Sequence, residues 1–322
     1  MFSKQSVRLA PDALPEVIAR LQASLSETVL GRLRRRGAVV GLSGGVDSSV
    51  VAALCVRALG KERVLGLFMN EAESSADTIR LGRLVAEHLG IATVDEPISP
   101  ILEGARCYAR RDEAIRRAIP RYGKGWRCKI VLPSLIDSER LRLFSVVVRS
   151  PDGEQIQARM SPEVYLEVVA ATNFKQRVRK MLEYFHADRL GYAVAGTPNL
   201  LEYDQGFFVK NGDGAADVKP IAHLYKTQVY QLAEWLGIPE EIRTRPPTAD
   251  TYSLPQSQEE FYFSLPYDLM DACLYAVDHD VPAAHAAEAL GLTPEQVTRV
   301  YRDIEAKRAA ARYLHSPPLL IG

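Results

Sequence analysis

Ala38-Val-Val-Gly-Leu42, followed directly by Ser43-Gly-Gly-Val-Asp-Ser-Ser49, is the stretch that decides the fold. The first five residues form a short apolar run that reads as a buried strand, and from Asp47 to Leu59 the apolar positions take up helical spacing. Strand, glycine-rich turn and helix therefore follow one another without a gap. At such a junction the first backbone N–H groups of the helix lack partners inside it, and the helix dipole adds partial positive charge, so the turn is suited to an anion. Gly44 and Gly45 let the backbone approach a phosphate closely, and the hydroxyls of Ser43, Ser48 and Ser49 add donors. Asp47 offers a carboxylate for the Mg2+ that neutralises a polyphosphate.

Upstream, Leu14, Val17, Ile18, Leu21 and Leu25 predict a helix within 12–34. Downstream, Val64–Met69 (VLGLFM) reads as a second buried strand. It leads through Asn70–Ser75 into a helix carrying Ile79, Leu84, Val85 and Leu89 that Gly90 stops. Strands alternating with helices imply an α/β fold with a doubly wound parallel sheet. Tyr192–Gly196 (YAVAG) returns to a strand, Lys226–Leu236 is a helix closed by Gly237 and Pro239, and Thr293-Pro-Glu-Gln296 caps a helix lined by Val297, Val300, Tyr301 and Ile304. The stretch 98–140, with basic clusters at Arg110–Arg111, Arg116–Arg117 and Arg121–Lys129, is assigned to helices and loops. Leu141–Val148 and Glu154–Met160 flank Ser150-Pro-Asp-Gly153, a turn sequence that predicts a β-hairpin. Ser161 then caps a helix with Pro162 in its first turn, running to about Asp188. The whole reads as one domain, 1–322, with an inserted segment at 100–165 that contains the hairpin 141–160.

Forty basic residues balance forty acidic ones, so no global field points to nucleic acid or an anionic membrane as partner. No signal pattern and no apolar run near the roughly 18 residues of a membrane span is present, and the expectation is a cytoplasmic protein. Cys55, Cys107, Cys128 and Cys273 lack metal-ligand spacing and read as free thiols, with Cys128 set in the basic run Lys124–Lys129. The six histidines form no cluster in sequence.

The turn lacks the Gly-Lys-Ser/Thr ending of the Walker loop and the G-x-G-x-x-G of dinucleotide folds, so neither P-loop phosphoryl transfer nor hydride transfer is indicated. It resembles instead the SGGxDS loop of the N-type ATP pyrophosphatases, adenine nucleotide alpha-hydrolase-like enzymes that cut ATP between the α- and β-phosphates and leave AMP on a substrate oxygen. Within that group, Thr172–Arg179 (TNFKQRVR), Gly196–Asp217, Leu224–Gln228 (LYKTQ) and Pro247–Asp250 (PTAD) look like the ammonia-dependent NAD synthetases, over about 38–70 and 172–312.

The resemblance implies ATP contacts from Gly41, Leu42, Ser43, Gly44, Gly45, Val46, Asp47, Ser48 and Ser49, with Met69, Thr197, Lys226 and Thr248. It puts Asp47 and Glu202 on Mg2+, makes Asp47, Glu202 and Lys226 the catalytic set, and places Asn173, Arg177, Lys210, Asp217 and Lys307 on deamido-NAD, whose nicotinate carboxylate becomes the amide. Asn173 and Arg177 share one helix face and Lys175 and Arg179 another, so one pair is expected in a pocket. The resemblance also implies a homodimer. No region suited to a built-in glutaminase is found, so free ammonia or a separate glutamine amidotransferase is the expected nitrogen source.

The insertion has no counterpart in the simplest family members, and Ala306 precedes Lys307 where some members have His. Covering the active site, docking an ammonia-delivering partner and neutral decoration all remain readings of the insertion. Amidation of another carboxylate by the same adenylation chemistry stays as the alternative function, and a non-catalytic ATP-binding regulator as a third.

Overall fold

A computed structural model describes residues 2–132, 144–247, 251–263 and 265–321. After helix α1 (Leu14–Ser26), strand β1 (Ala38–Gly41) passes into α2 (Val46–Leu59), β2 (Val64–Phe68), α3 (Ala76–Leu89) and β3 (Ala92–Asp95). These three strands pair in parallel, Val39 with Leu65 and Leu67 with Val94. Helices α4 (Ser99–Gly104) and α5 (Cys107–Ala118) follow, then a separate antiparallel sheet of β4 (Arg127–Val131), β5 (Ser145–Arg149) and β6 (Gln155–Arg159). The long helix α6 (Pro162–Leu190) brings the chain back to the first sheet, where β7 (Ala193–Val194) joins the free side of β1. The order β3-β2-β1-β7 is that of a doubly wound sheet. Its direction of winding reverses between β1 and β7, the position at which such sheets open a crevice beyond their strand ends.

Both faces of the sheet are covered, as a parallel sheet requires. Ala38, Val40, Val64 and Phe68 point to the side packed by α1, α2 and a later helix that begins at Lys226, whereas Val39, Leu65 and Leu67 point to the side packed by α4 and α6. Successive strand residues alternate between these layers, so one slipped register would move every one of these side chains to the wrong core. Beyond β7 come α7 (Leu200–Gln205), α8 (Lys226–Trp235) and α9 (Glu240–Arg243), then α10 (Tyr267–Asp278), α11 (Ala283–Leu290) and α12 (Pro294–His315). The last three close a second apolar cluster around Met270, Leu274, Val300 and Ile304. No helix among the described residues is long and apolar enough to cross a membrane.

The hairpin is present, with Val147 opposite Gln157 and Gly153 at φ +96° in the turn; the 141–143 part of its expected first arm lies outside the described residues. Ser161 caps α6 by accepting the Val164 N–H, and Gly191 ends it in the left-handed region. Two strands went unread. Arg127–Val131 lies inside the stretch assigned to helices and loops; Cys128 and Ile130 are buried while Arg127 and Lys129 face outward, and the surrounding basic run masks that alternation. β3 is an edge strand with little buried surface, so its period-2 signal is weak. The expected strand 192–196 shrinks to two paired residues, extended only by an isolated bridge from Ala195 to Val218.

Candidate active site

The loop after β1 and the segment after β7 face each other across the switch point and open into a cavity of roughly 570 Å3. That is the size range of small-molecule sites. Gly41, Leu42, Ser43, Gly44, Gly45, Val46, Asp47, Ser48, Met69, Asn173, Thr197, Glu202 and Lys226 all line it. Gly44 holds φ +69°, and a Cβ there would stand 2.7 Å from Leu81 Cβ and 2.9 Å from the Thr78 carbonyl, so only glycine fits the turn without movement. Gly45 begins α2 with no side chain capping the helix, and the first-turn N–H groups remain directed at the cavity end. The Ser48 and Ser49 hydroxyls donate to the Gly45 carbonyl at 3.0 and 2.8 Å, which fixes the loop. Ser49 is fully buried and does not line the cavity; it braces the turn from behind.

Asp47 in the first turn of α2 meets the Lys226 ammonium from the start of α8 in a direct ion pair. Its other oxygen accepts from the Asn199 carboxamide at 3.2 Å. Asn199 also caps α7: its side chain accepts the Glu202 N–H at 3.1 Å, and Glu202 returns the bond by accepting the Asn199 N–H at 3.2 Å. This capping box links Asp47 and Glu202 through one residue. Asn-x-x-Glu at 199–202 is the local sequence signature of such a box.

Burial, and then the charge of Asp47, push the Glu202 carboxyl up to about 8, against the pull of Lys226. Lys226 is 1% exposed, and burial disfavours its charge; Asp47 and Glu202 outweigh that and leave its pKa raised. The arrangement concentrates two carboxyl groups and one cation in a space where each charge is costly alone. Lys226 is held from behind by Asp271 of α10, which accepts the N–H groups of Lys226 and Thr227 at 3.3 and 2.7 Å. Asp271 is 45 positions from Lys226, and no local pattern announces that contact.

Helix α6 forms the long wall. Thr172, Gln176, Arg179 and Glu183 stand near the centre of an arc of roughly 160° that faces the cavity, with Asn173 and Lys175 toward its flanks. The expectation that one face pair excludes the other is therefore corrected: Asn173 lines the cavity together with Lys175 and Arg179, and Arg177 falls just past the edge. Lys175 is buried and paired with Glu71 at 2.8 Å and Glu73 at 2.6 Å, while Arg111 of α5 grips Glu73 at 2.7 Å.

The remaining expected substrate residues stand outside this cavity. Arg177 donates to the Lys210 carbonyl at 3.3 Å, and Lys210 donates to the carbonyls of Tyr313 and Ser316 at 2.8 and 2.9 Å. Asp217 accepts the Val194 N–H at 2.8 Å, and Lys307 pairs with Asp303 at 2.8 Å over the Tyr262 ring. Thr248 lies outside the described residues. All four cysteines are buried free thiols, and burial pushes the Cys128 thiol up despite Arg111 beside it.

The sequence model of one family, described as NAD synthase, matches residues 17–117 and 146–311, leaving 118–145 between the two matched parts. A protein of Mesorhizobium japonicum named NH(3)-dependent NAD(+) synthetase is 61% identical over 312 residues, covering 97% of this chain and 98% of its own length. One of the same name from Thermotoga neapolitana is 37% identical over 84% of this chain and 85% of its own. Among solved structures, NH3-dependent NAD synthetase from Campylobacter jejuni aligns with a TM-score of 0.63 at 20% identity over 96% of this chain and 99% of that one. NMN synthetase from Francisella tularensis aligns at 0.66 and 21% over 96% and 98%; both are likenesses of fold. With a family match over most of its length and relatives alike from end to end, this chain belongs to the NAD synthase family.

Proposed function

We propose that this chain is an ATP-dependent amide ligase that adenylates the nicotinate carboxylate of deamido-NAD and replaces AMP by ammonia to give NAD. The observation that carries this is the open N-terminus of α2 beside the Asp47–Lys226–Glu202 group, at the switch point of a doubly wound sheet. The relatives' shared name supplies the acceptor and leaves the alternative carboxylates unfavoured.

In this reading the α2 N–H groups and the Ser43–Ser48 turn hold the polyphosphate. A carboxylate oxygen attacks the α-phosphorus, the bond to the bridging oxygen breaks, and pyrophosphate departs. Charge builds on that leaving group, and Lys226 is placed to offset it. Asp47 and Glu202 suit Mg2+: both are hard oxygen donors, both line the cavity, and Asn199 bonds to each and so holds the two carboxyls near one another. No cluster of three His, Cys, Asp or Glu suited to a metal occurs among the described residues, so phosphate oxygens and water would complete the shell. When bound, Mg2+ would neutralise the phosphates and polarise the α-phosphorus. In the second step the ammonia nitrogen attacks the acyl carbon, the carbon–oxygen bond to AMP breaks, and one proton leaves. The acyl-adenylate is already activated, so no strong general base is required.

Asn173, Thr197 and Met69 all line the cavity; Asn173 would read the nicotinate end, and Thr197 and Met69 would flank the nucleotide. Arg177, Lys210, Asp217 and Lys307 would meet the dinucleotide outside the single-chain cavity. Arg177 shares its helix strip with Met181 and Phe185, 54% and 57% exposed, which supports a homodimer whose interface covers that strip. We take the chain as one domain with an insertion within 100–165, fed by free ammonia or by a separate amidotransferase.

Pyrophosphate release with ATP, Mg2+ and ammonium tests the reading across deamido-NAD, nicotinate mononucleotide and unrelated carboxylic acids. Release that tracks deamido-NAD is expected; release indifferent to it would overturn the assignment.

A further inference from the structure

The antiparallel sheet β4–β6 has no task in these steps, yet it supplies one end of the cavity. Phe144, which leads into β5, stacks on Tyr165 of α6 with ring centroids 4.1 Å apart and planes at 14°. Both face the cavity beside Val169, Tyr252 and Phe261. These five belong to a single apolar cluster whose fully buried members include Cys128, Ile130, Val146 and Val148 of the antiparallel sheet. The phosphate-side wall reaches Glu183 of α6, so the cavity follows that helix for about 27 Å from a polar end to an aromatic one. Asn173 lies one helical turn from Val169, at the border of the two.

The same sheet also fixes the opposite wall. The outer edge of β4 is laid against the segment that carries Tyr252: the Leu254 N–H donates to the Cys128 carbonyl at 3.0 Å, and the Cys128 N–H donates to the Ser253 hydroxyl at 2.8 Å. Arg127 donates to the Ser253 carbonyl at 2.7 Å, the Gln256 carboxamide donates to the Ile130 carbonyl, and Lys175 donates to the Thr251 carbonyl at 2.9 Å. Without β4 the segment that carries Tyr252 would lose its anchor.

An acyl-adenylate reacts with water as well as with ammonia. Amidation forms a carbon–nitrogen bond, breaks the carbon–oxygen bond to AMP and frees one proton. Hydrolysis breaks the same bond with a water oxygen, regenerates the carboxylate and consumes ATP without product. Resting on the ligase reading above, we propose that the antiparallel sheet is the water-excluding wall of the acyl end, and that Phe144 and Tyr165 set the partition between amide and hydrolysis. Closure of an active site against water protects reactive intermediates in this way.

The test measures AMP and NAD in the same samples of the full-length protein over a range of ammonium concentrations. The unmutated chain is expected to form one AMP per NAD. Phe144→Ala and Tyr165→Ala raise the ratio to about two or more at low ammonium, and it returns toward one as ammonium increases, because the two nucleophiles compete. Phe144→Leu, which keeps apolar bulk, stays near one. If Phe144→Ala does not fold, Val169→Ser, which wets the wall without emptying it, serves in its place. Equal slowing of AMP and NAD with the ratio fixed at one in the alanine and serine variants would overturn the proposal. Failure of the ligase reading shows differently, as absence of NAD from the unmutated chain, and would remove this role with it.

Discussion

Replacing Glu202 by Gln is predicted to stabilise the protein in the absence of Mg2+ and nucleotide while abolishing turnover. Glu202 is 9% exposed, and its carboxyl is pushed from the ordinary 4.5 up to about 8 by burial and by Asp47. A folded-state pKa raised above the unfolded one gives a stability contribution that is complete below 4.5 and is lost as pH rises through 8. At pH 7 the unfolded chain releases this proton freely and the folded chain largely keeps it, a penalty of about 3 kcal/mol that grows to about 5 kcal/mol above pH 8. Gln carries no such proton, and its carboxamide oxygen can still accept the Asn199 N–H that Glu202 accepts at 3.2 Å. Urea unfolding of both proteins from acid to mildly alkaline pH reads the difference directly. The two should agree near pH 4.5 and diverge as pH rises, with the variant the more stable. A difference that does not change with pH, or a variant less stable than the parent above pH 7, would refute the charge arrangement drawn here.

Lys226→Met should lower kcat for pyrophosphate release by about 10²- to 10³-fold, because it removes the cation placed at the departing charge; a change confined to KM would contradict that placement. Gly44→Ala forces a Cβ into Leu81 at a left-handed backbone position and should cost about 1–3 kcal/mol in thermal or urea unfolding together with much of the ATP affinity. Lys175→Met takes the buried ammonium away from Glu71 and leaves Glu73 to Arg111 alone, and should destabilise by about 3–5 kcal/mol, measured by the same unfolding. Cys128 is buried and its thiol is raised, so alkylation at neutral pH should proceed only after unfolding.

The strand–turn–helix of 38–59 was legible because every signal in it is local: an apolar run, two glycines, an abrupt change of period. The same holds for the Pro-Asp-Gly hairpin and for the Ser161 cap of α6. Arg127–Val131 was hidden because its outward residues are the cations that make the stretch look like a loop. The meeting of Asp47, Glu202 and Lys226 could be proposed only through resemblance, since they come from three helices. Asp271 behind Lys226 and the bracing of Tyr252 by β4 depend on contacts across 45 and about 125 positions, and no sequence period encodes them. The arc of α6 was misjudged for a related reason: pairing rules say which residues neighbour one another, whereas the width of a cavity wall is set by everything packed opposite.

The central claim is that the acceptor carboxylate attacks the α-phosphorus of ATP. Deamido-NAD labelled with oxygen-18 in its carboxylate, turned over with ATP, Mg2+ and ammonium, tests it most directly. The label should appear in the phosphate of AMP and not in pyrophosphate. Label in inorganic phosphate, with ADP as the nucleotide product, would mean attack at the γ-phosphorus and would contradict the account.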